Sequence, residues 1–153
     1  MEVLRWAVEH GCPYMAAEMC KEAADGGHLQ VLRWAREQGC PWGARTCACA
    51  ADGGHLEVLK WAREHGCEWD ERTTYSAVAG GHREVLQWSL EQGCPRNEFT
   101  CTLAAKNGQL GALKLAREHD CPWDWTTLST ARAYGHTEVV QWALENGCPD
   151  NEH

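Results

Sequence analysis

The chain has 153 residues and a formal net charge of −8, which arises from 22 acidic and 14 basic residues. Its Lys and Arg residues form no prominent run, so binding to the phosphate backbone of nucleic acids is disfavoured. No apolar run reaches the ~18 residues of a membrane-spanning helix, and the N-terminus MEVLRWAVEHG shows no signal peptide. We therefore expect neither a nucleic acid nor a membrane among the partners.

One phrase recurs about every 27 residues from the beginning of the chain to its end. Its clearest copy is HLEVLKWAREHGCEW, which starts at His55, and a truncated copy, MEVLRWAVEHGCPY, opens the chain. Periods of about 20 to 50 residues are typical of repeat arrays, in which each unit buries its apolar face against its neighbours. We interpret residues 1–153 as a single array with a partial repeat of one helix at 1–14, five full repeats at 15–42, 43–69, 70–96, 97–123 and 124–150, and the start of a further repeat at 151–153.

Each full repeat contains two predicted helices, which the unit beginning at Asp70 illustrates. Asp70 caps a first helix over about 71–79, because its carboxylate can accept hydrogen bonds from the free backbone N–H groups of a helix start. Gly80 and Gly81 end that helix, and His82 opens a second helix that runs to about residue 92. A Gly-Cys-Pro turn follows, since proline resists further helix. Repeated along the chain, this pattern predicts an all-α solenoid of stacked helix-turn-helix repeats with eleven helices.

Comparison of the repeats within this one chain separates two faces of the first helix. Some positions change little from unit to unit, and we expect them to pack in the core: Thr46, Cys47, Ala50 and Ala51. Others change freely, and we expect this varied face to look outward: Ala44, Arg45, Ala48, Cys49 and Asp52. The second helix is amphipathic, so its wide apolar arc is predicted to face the core and its charged remainder the solvent.

The phrase A-A-x-x-G-H-L-E-V-L-x-W, read here from Ala50 to Trp61, resembles the ankyrin repeat family. The Gly-Cys at Gly66-Cys67 looks like that family's Gly-Ala after the second helix. The family's unit has about 33 residues and a Thr-Pro-Leu-His opening, whereas this unit is shorter and reads Arg-Thr-Cys-Ala or Arg-Thr-Thr-Tyr. The resemblance implies a Trp- and Cys-rich variant with truncated fingers between units. It also implies protein binding, which would fall on the varied face of the first helices.

Tryptophan recurs at two positions of the repeat. These residues could stack on the bases of a single-stranded nucleic acid, but the negative charge of the chain opposes that alternative. We expect both sets of aromatic residues, called ladders below, to pack against the protein, with part of each ring in the turn exposed. The second-helix ladder is Trp6, Trp34, Trp61, Trp88 and Trp142, with Leu115 in the same place. The turn ladder is Tyr14, Trp42, Trp69 and Trp123, with Arg96 interrupting.

The ten cysteines are interpreted as free, buried thiols. Six occupy one equivalent position in successive units, and stacked helices ~8–10 Å apart keep such neighbours beyond the ~7 Å Cα separation of a disulfide. Free thiols indicate a reducing, intracellular compartment, the cytoplasm. Zinc would need clustered ligands, and only Cys47-x-Cys49 comes near that spacing. Pairing of Cys40 with Cys47, or of Cys94 with Cys101, stays open.

No residue pattern here resembles a catalytic constellation. There is no G-x-S-x-G, no phosphate loop and no H-E-x-x-H. Histidine opens the second helix in four full units, where we expect it to form a hydrogen bond to the neighbouring turn rather than to serve a metal or acid–base role. These residues are His28, His55, His82 and His136, with Gln109 in the remaining unit. We therefore expect no enzymatic activity, no cofactor and no metal.

The predicted function is non-catalytic protein–protein recognition through the varied face of the first helices. Aromatic and arginine side chains dominate interface energetics, so Phe99 and Trp125 are the expected anchors. The full set of predicted contact residues is Arg45, Glu71, Arg72, Tyr75, Glu98, Phe99, Lys106, Trp125 and Tyr134.

Two alternatives stay open. In the first, the chain is a structural segment of a longer repeat array with no dedicated partner site. In the second, which is the weaker one, its cysteines serve a zinc or redox role. End-to-end self-association through uncapped terminal repeats is a further prediction, because solenoids usually need polar capping units and Val3, Leu4 and Trp6 would be exposed at the N-terminal end.

Overall fold

The computed structural model describes residues 13–151, which form ten α-helices and no strand. In chain order the helices are α1 (Pro13–Asp25), α2 (Leu29–Glu37), α3 (Ala44–Asp52), α4 (Leu56–Glu64), α5 (Glu71–Ala79), α6 (Arg83–Glu91), α7 (Glu98–Lys106), α8 (Leu110–Glu118), α9 (Trp125–Ala133) and α10 (Thr137–Glu145). The architecture is the predicted all-α solenoid of stacked helix-turn-helix units. The helix predicted in the partial repeat lies outside the described residues, as do Val3, Leu4 and Trp6. None of the ten helices has the length and apolar character needed to cross a membrane.

The odd-numbered helices are the first helices of their units and the even-numbered ones are the second helices. Each first helix packs against the second helix of its own unit and against the first helices of the neighbouring units. Neighbouring second helices approach one another less closely than neighbouring first helices do. The first helices therefore form the more closely packed of the two rows.

The core consists of one leucine column and one column of small residues. The second helices contribute the leucines, each fully buried: Leu32, Leu59, Leu86 and Leu113. The first helices contribute alanine pairs such as Ala50 and Ala51, whose small side chains let neighbouring helices approach closely. The predicted constant face is confirmed, since Thr46 and Cys47 are buried with that pair.

One position of the varied face was predicted wrongly. Ala48 was expected to look outward, yet its side chain is only 7 % exposed. Helix α3 packs extensively against the neighbouring first helix α5. A methyl group at this position is therefore covered by the neighbouring first helix, and free variation between units does not by itself indicate exposure.

The helix starts follow the predicted capping chemistry. The side chains of Asp70, Asn97 and Asp124 each accept a hydrogen bond from the backbone N–H two residues later, at 3.0, 3.2 and 2.9 Å. Helix α1 differs, because it begins at Pro13 inside the predicted turn and is four residues longer than the nine-residue first helices that follow. Proline is tolerated at the first helical position, where its missing N–H would have no partner within the helix.

Polar side chains at the start of the second helices connect one unit to the preceding one. His55 Nε2 donates to the Asp25 carbonyl and His136 Nε2 to the Lys106 carbonyl, both at 2.8 Å. Gln109, which replaces histidine in its unit, donates to the Val78 carbonyl at 3.0 Å. The predicted hydrogen bond to a neighbouring turn is confirmed at these positions, and it explains why an amide can replace the imidazole.

Candidate partner-binding surface

Large hydrophobic side chains are exposed mainly along the first helices. Phe99 is 62 % exposed on α7, Trp125 is 47 % exposed at the start of α9, and Tyr134 is 56 % exposed at the C-cap of α9. Among the described residues, the remaining exposed large hydrophobic side chain is Leu144 on α10, at 46 %. Exposed aromatic residues grouped on one surface are typical of an interaction site.

A groove between the third and fourth full units brings three of the predicted contact residues together. It encloses about 360 Å³ and is lined by Tyr75 from α5 and by Phe99, Thr102, Leu103 and Lys106 from α7. Thr102 and Leu103 are half-buried and form its deeper part, whereas Phe99 and Lys106 are exposed at its rim. Its lining is almost entirely apolar.

Lys106 connects this groove to Tyr134 in the next unit. Its Nζ atom lies 5.5 Å from the centroid of the Tyr134 ring, in the range of a cation–π contact. No carboxylate in residues 13–151 forms an ion pair with Lys106. The groove rim therefore carries an ammonium group whose charge no described acidic side chain balances directly.

Arg72 is placed differently, because a carboxylate of its own unit holds it. Its guanidinium binds both oxygens of Asp70, with Nη2 2.6 Å and Nε 2.9 Å from Oδ2. These hydrogen bonds lower the pKa of Asp70, which also caps α5. Arg72 therefore reinforces the helix start, and its guanidinium is less available to a partner than the sequence suggests.

The other predicted contact residues lie outside the groove. Arg45 on α3 and Glu98 on α7 are exposed, and Glu71 on α5 is half-buried. Trp125 is exposed, but it does not line the groove. The sequence interpretation missed Thr102 and Leu103, although Leu103 stands at the varied position of Cys49 and is the only large apolar residue there among the five full units.

The second helices and the turns that follow them carry a second kind of feature, a clasp of one arginine and one tryptophan. In three units the arginine near the end of the second helix lies over the ring of the turn tryptophan, with its Cζ atom 4.3 to 4.5 Å from the ring centroid, and donates to the carbonyl of the intervening cysteine. The three clasps are Arg36 with Trp42, Arg63 with Trp69, and Arg117 with Trp123. Each turn ring also meets the second-helix tryptophan of the next unit, at 5.7 to 5.8 Å between centroids.

These clasps explain how the tryptophan ladders pack. The second-helix rings Trp34, Trp61, Trp88 and Trp142 pack against the core, as predicted, but each is only half-buried, whereas Leu115 is buried. Two open grooves remain between clasps, of about 640 Å³ at Trp42 and Trp61 and about 470 Å³ at Trp69 and Trp88. Both are lined by cationic and anionic side chains together.

The nine cysteines of the described residues are all free thiols, and eight of them are buried. Cys40 and Cys47 form no disulfide, and neither do Cys94 and Cys101. In three units the turn cysteine instead contacts the carbonyl at the start of its own first helix, 3.4 Å from sulfur to oxygen. Burial raises the pKa of Cys94 and of Cys101 to about 12. No cluster of three or more potential metal ligands occurs among the described residues.

No protein-family model matches this sequence, and no curated protein is significantly similar to it. The ankyrin-like phrase therefore remains a resemblance carried by its own residues. An all-α stack of helix-turn-helix units is compatible with that family and with other helical repeats, so the architecture does not assign the family.

Proposed function

We propose that this chain is a non-catalytic protein–protein interaction module that binds a partner through the outward face of its first helices. The observation that carries the proposal is the exposure of Phe99, Trp125 and Tyr134, which all lie on first helices or at the C-cap of one. Exposed aromatic side chains next to a preformed apolar groove are the usual anchors of protein interfaces. A stack of packed units holds such a surface rigid, so little conformational entropy is lost on binding.

The same proposal includes the family and the compartment. We infer a short-unit variant of the ankyrin repeat family, on the phrase from Ala50 to Trp61 and the Gly-Cys turn. Reduced, buried cysteines in successive units support a reducing compartment such as the cytoplasm.

The proposal is tested by capture from a cell lysate with a variant that removes three aromatic rings of the first helices. We expect a protein retained by the parent chain to be lost by the variant Tyr75→Ala, Phe99→Ala, Trp125→Ala, with circular dichroism showing that the variant is folded. Leu144→Ala is the matched control, because Leu144 is similarly exposed but belongs to a second helix. Equal capture by the parent and the triple variant would exclude this face as the binding surface.

Self-association of the terminal units is a second proposal, which the exposure of Leu144 on the last described helix favours. In that case Leu144→Ala, rather than the triple variant, lowers the association seen by sedimentation as the concentration is raised. Capture of no partner by any variant would support the remaining alternative, a structural segment of a longer array.

A further inference from the structure

We propose that the groove between α5 and α7 receives one large apolar side chain of the protein partner, and that an acidic residue next to it in the partner binds Lys106. This inference rests on the proposed function and specifies the chemistry of the partner. It concerns the residues Tyr75, Phe99, Thr102, Leu103 and Lys106.

The size of the groove favours a single side chain. At about 360 Å³ it lies at the lower limit of small-molecule pockets, which measure about 300 to 1,000 Å³. It is also open to solvent along the row of first helices, so it would bury one aromatic or leucine side chain rather than enclose a whole metabolite. Interface anchors characteristically fill pockets of this kind, in the centre of a surface whose neighbouring contacts exclude water.

The polar groups of the lining leave few donors and acceptors for a polar ligand. The Thr102 hydroxyl already lies 3.2 Å from the Thr126 hydroxyl and 3.4 Å from that of Thr127, so it is occupied by the next unit. The phenol of Tyr75 and the ammonium of Lys106 are the remaining polar groups of the five lining residues. Because an apolar side chain needs no hydrogen-bond partner, it suits the bottom of this groove better than a sugar or an amide does.

The charged residues at the two ends of α7 determine which kind of partner residue is favoured next to the inserted apolar side chain. Lys106 ends this nine-residue helix and Glu98 begins it, about 12 Å apart along the axis at 1.5 Å per residue. The Lys106 ammonium lacks a carboxylate partner within residues 13–151, whereas Glu98 repels acidic groups at the opposite end. An acidic residue of the partner is therefore attracted to the Lys106 end only, which also orients the partner segment.

Two small probes of opposite charge test this proposal on the ¹⁵N-labelled full chain by nuclear magnetic resonance. Indole-3-propionate carries an apolar ring and a carboxylate, while tryptamine carries the same ring and an ammonium group. We expect indole-3-propionate to shift the amide signals of Phe99, Leu103 and Lys106 and to bind about threefold more tightly than tryptamine, the size of an exposed ion-pair effect. Lys106→Glu should reverse this preference, and Phe99→Ala should weaken both probes.

Lys114→Glu is the matched control, because Lys114 lies on the second helix α8 over the Trp142 ring and does not line the groove. It introduces the same charge change and should leave the preference unaltered. Shifts confined to the tryptophans of the second helices and turns, equal affinities for the two probes, or no shifts would each overturn the proposal. If the triple variant loses the captured protein but the two probes bind equally well, only this inference is refuted. If the probes bind as expected but the triple variant captures the same protein as the parent chain, the proposed function is refuted.

Discussion

At the scale of single residues, the turns between helices decide how closely successive units approach. Gly54 ends the turn after α3 with a φ of +74°, and the ring of His82 from the next unit lies directly against it. A Cβ atom built on Gly54 would stand 2.5 Å from His82 Nδ1. Gly66, after α4, has a similar φ of +81° but nothing within 4 Å of the corresponding position. The two glycines therefore share a conformational requirement and differ in packing.

Comparison of Gly54→Ala with Gly66→Ala separates those two effects. Both variants should lose about 1 kcal/mol of unfolding free energy, because an L-residue is disfavoured in the left-handed region. Gly54→Ala should lose a further ~1–3 kcal/mol, the typical cost of forcing extra atoms into a packed site. Urea unfolding followed by circular dichroism measures both. Equal losses would mean that the contact between His82 and Gly54 adds nothing to the stacking of these units.

Asp120 occupies a turn position where the four other full units have glycine. Its φ is +58°, and it follows the C-terminal end of α8, where the helix dipole disfavours a negative charge. Asp120→Gly should therefore raise the free energy of unfolding by about 1 kcal/mol, measured by urea titration. Asp120→Asn leaves the backbone preference much the same and removes the charge, so it should give only a part of this increase in the free energy of unfolding. A destabilised Asp120→Gly variant would show that this carboxylate has a compensating partner.

At the scale of helices and turns, the arginine–tryptophan clasp joins the end of a second helix to the turn that leads into the next unit. Three units carry both members, and the two units without the arginine also lack the tryptophan: Leu90 accompanies Arg96, and Leu144 accompanies Asp150. In the last described unit Asp150 is instead bound by Arg132, with oxygen–nitrogen distances of 2.8 and 2.9 Å. The two positions are in contact wherever both residues of the clasp are present, and a unit that lacks one of them lacks the other.

A double-mutant cycle in the second full unit measures the clasp. Arg63→Leu and Trp69→Arg reproduce, separately and together, the residues found in the third unit. We expect each single variant to be destabilised and the double variant to lose about 1 kcal/mol less than the sum of the two, as for a partly exposed cation–π contact. Lys114→Leu combined with Trp69→Arg is the control, and its effects should add, since Lys114 lies two units away over the Trp142 ring. Additivity in both cycles would show that the clasp contributes no coupling.

Much of this element structure was predictable from one sequence, because caps, glycine turns and helical periodicity are local properties. The start and end of α5 follow from Asp70 and Gly80 alone. The site was less predictable, since it depends on what neighbouring units bring together. Leu103 was missed because its exposure depends on α5, and Ala48 was misplaced because α5 covers it. The clasps left a signal in the sequence, the paired change of positions such as Arg63 and Trp69, which inspection of each ladder separately did not reveal.

At the scale of the whole molecule, buried thiols link the stability of the stack to pH. An unperturbed thiol has a pKa near 9, and burial raises the pKa of Cys94 and Cys101 to about 12 and that of Cys20, Cys121 and Cys148 to about 11. Above pH 9 the unfolded chain releases these protons while the folded chain retains them. The folded state then binds more protons, so the free energy of unfolding falls as the pH rises.

Urea titrations between pH 8 and pH 11 test this linkage. The parent chain should lose stability steadily above pH 9, because thiols in several units contribute to the slope at once. Cys94→Ala removes one of them, so its stability should decline less steeply with pH, although it is lower at pH 8 because a buried group has been deleted. Val85→Ala, which shortens a buried side chain in the same unit without removing a titrating group, should run parallel to the parent. Identical slopes for Cys94→Ala and Val85→Ala would show that the Cys94 thiol loses its proton as readily in the folded chain as in the unfolded one. The stack would then open at that unit before the whole chain unfolds, because only solvent access lets a thiolate form there.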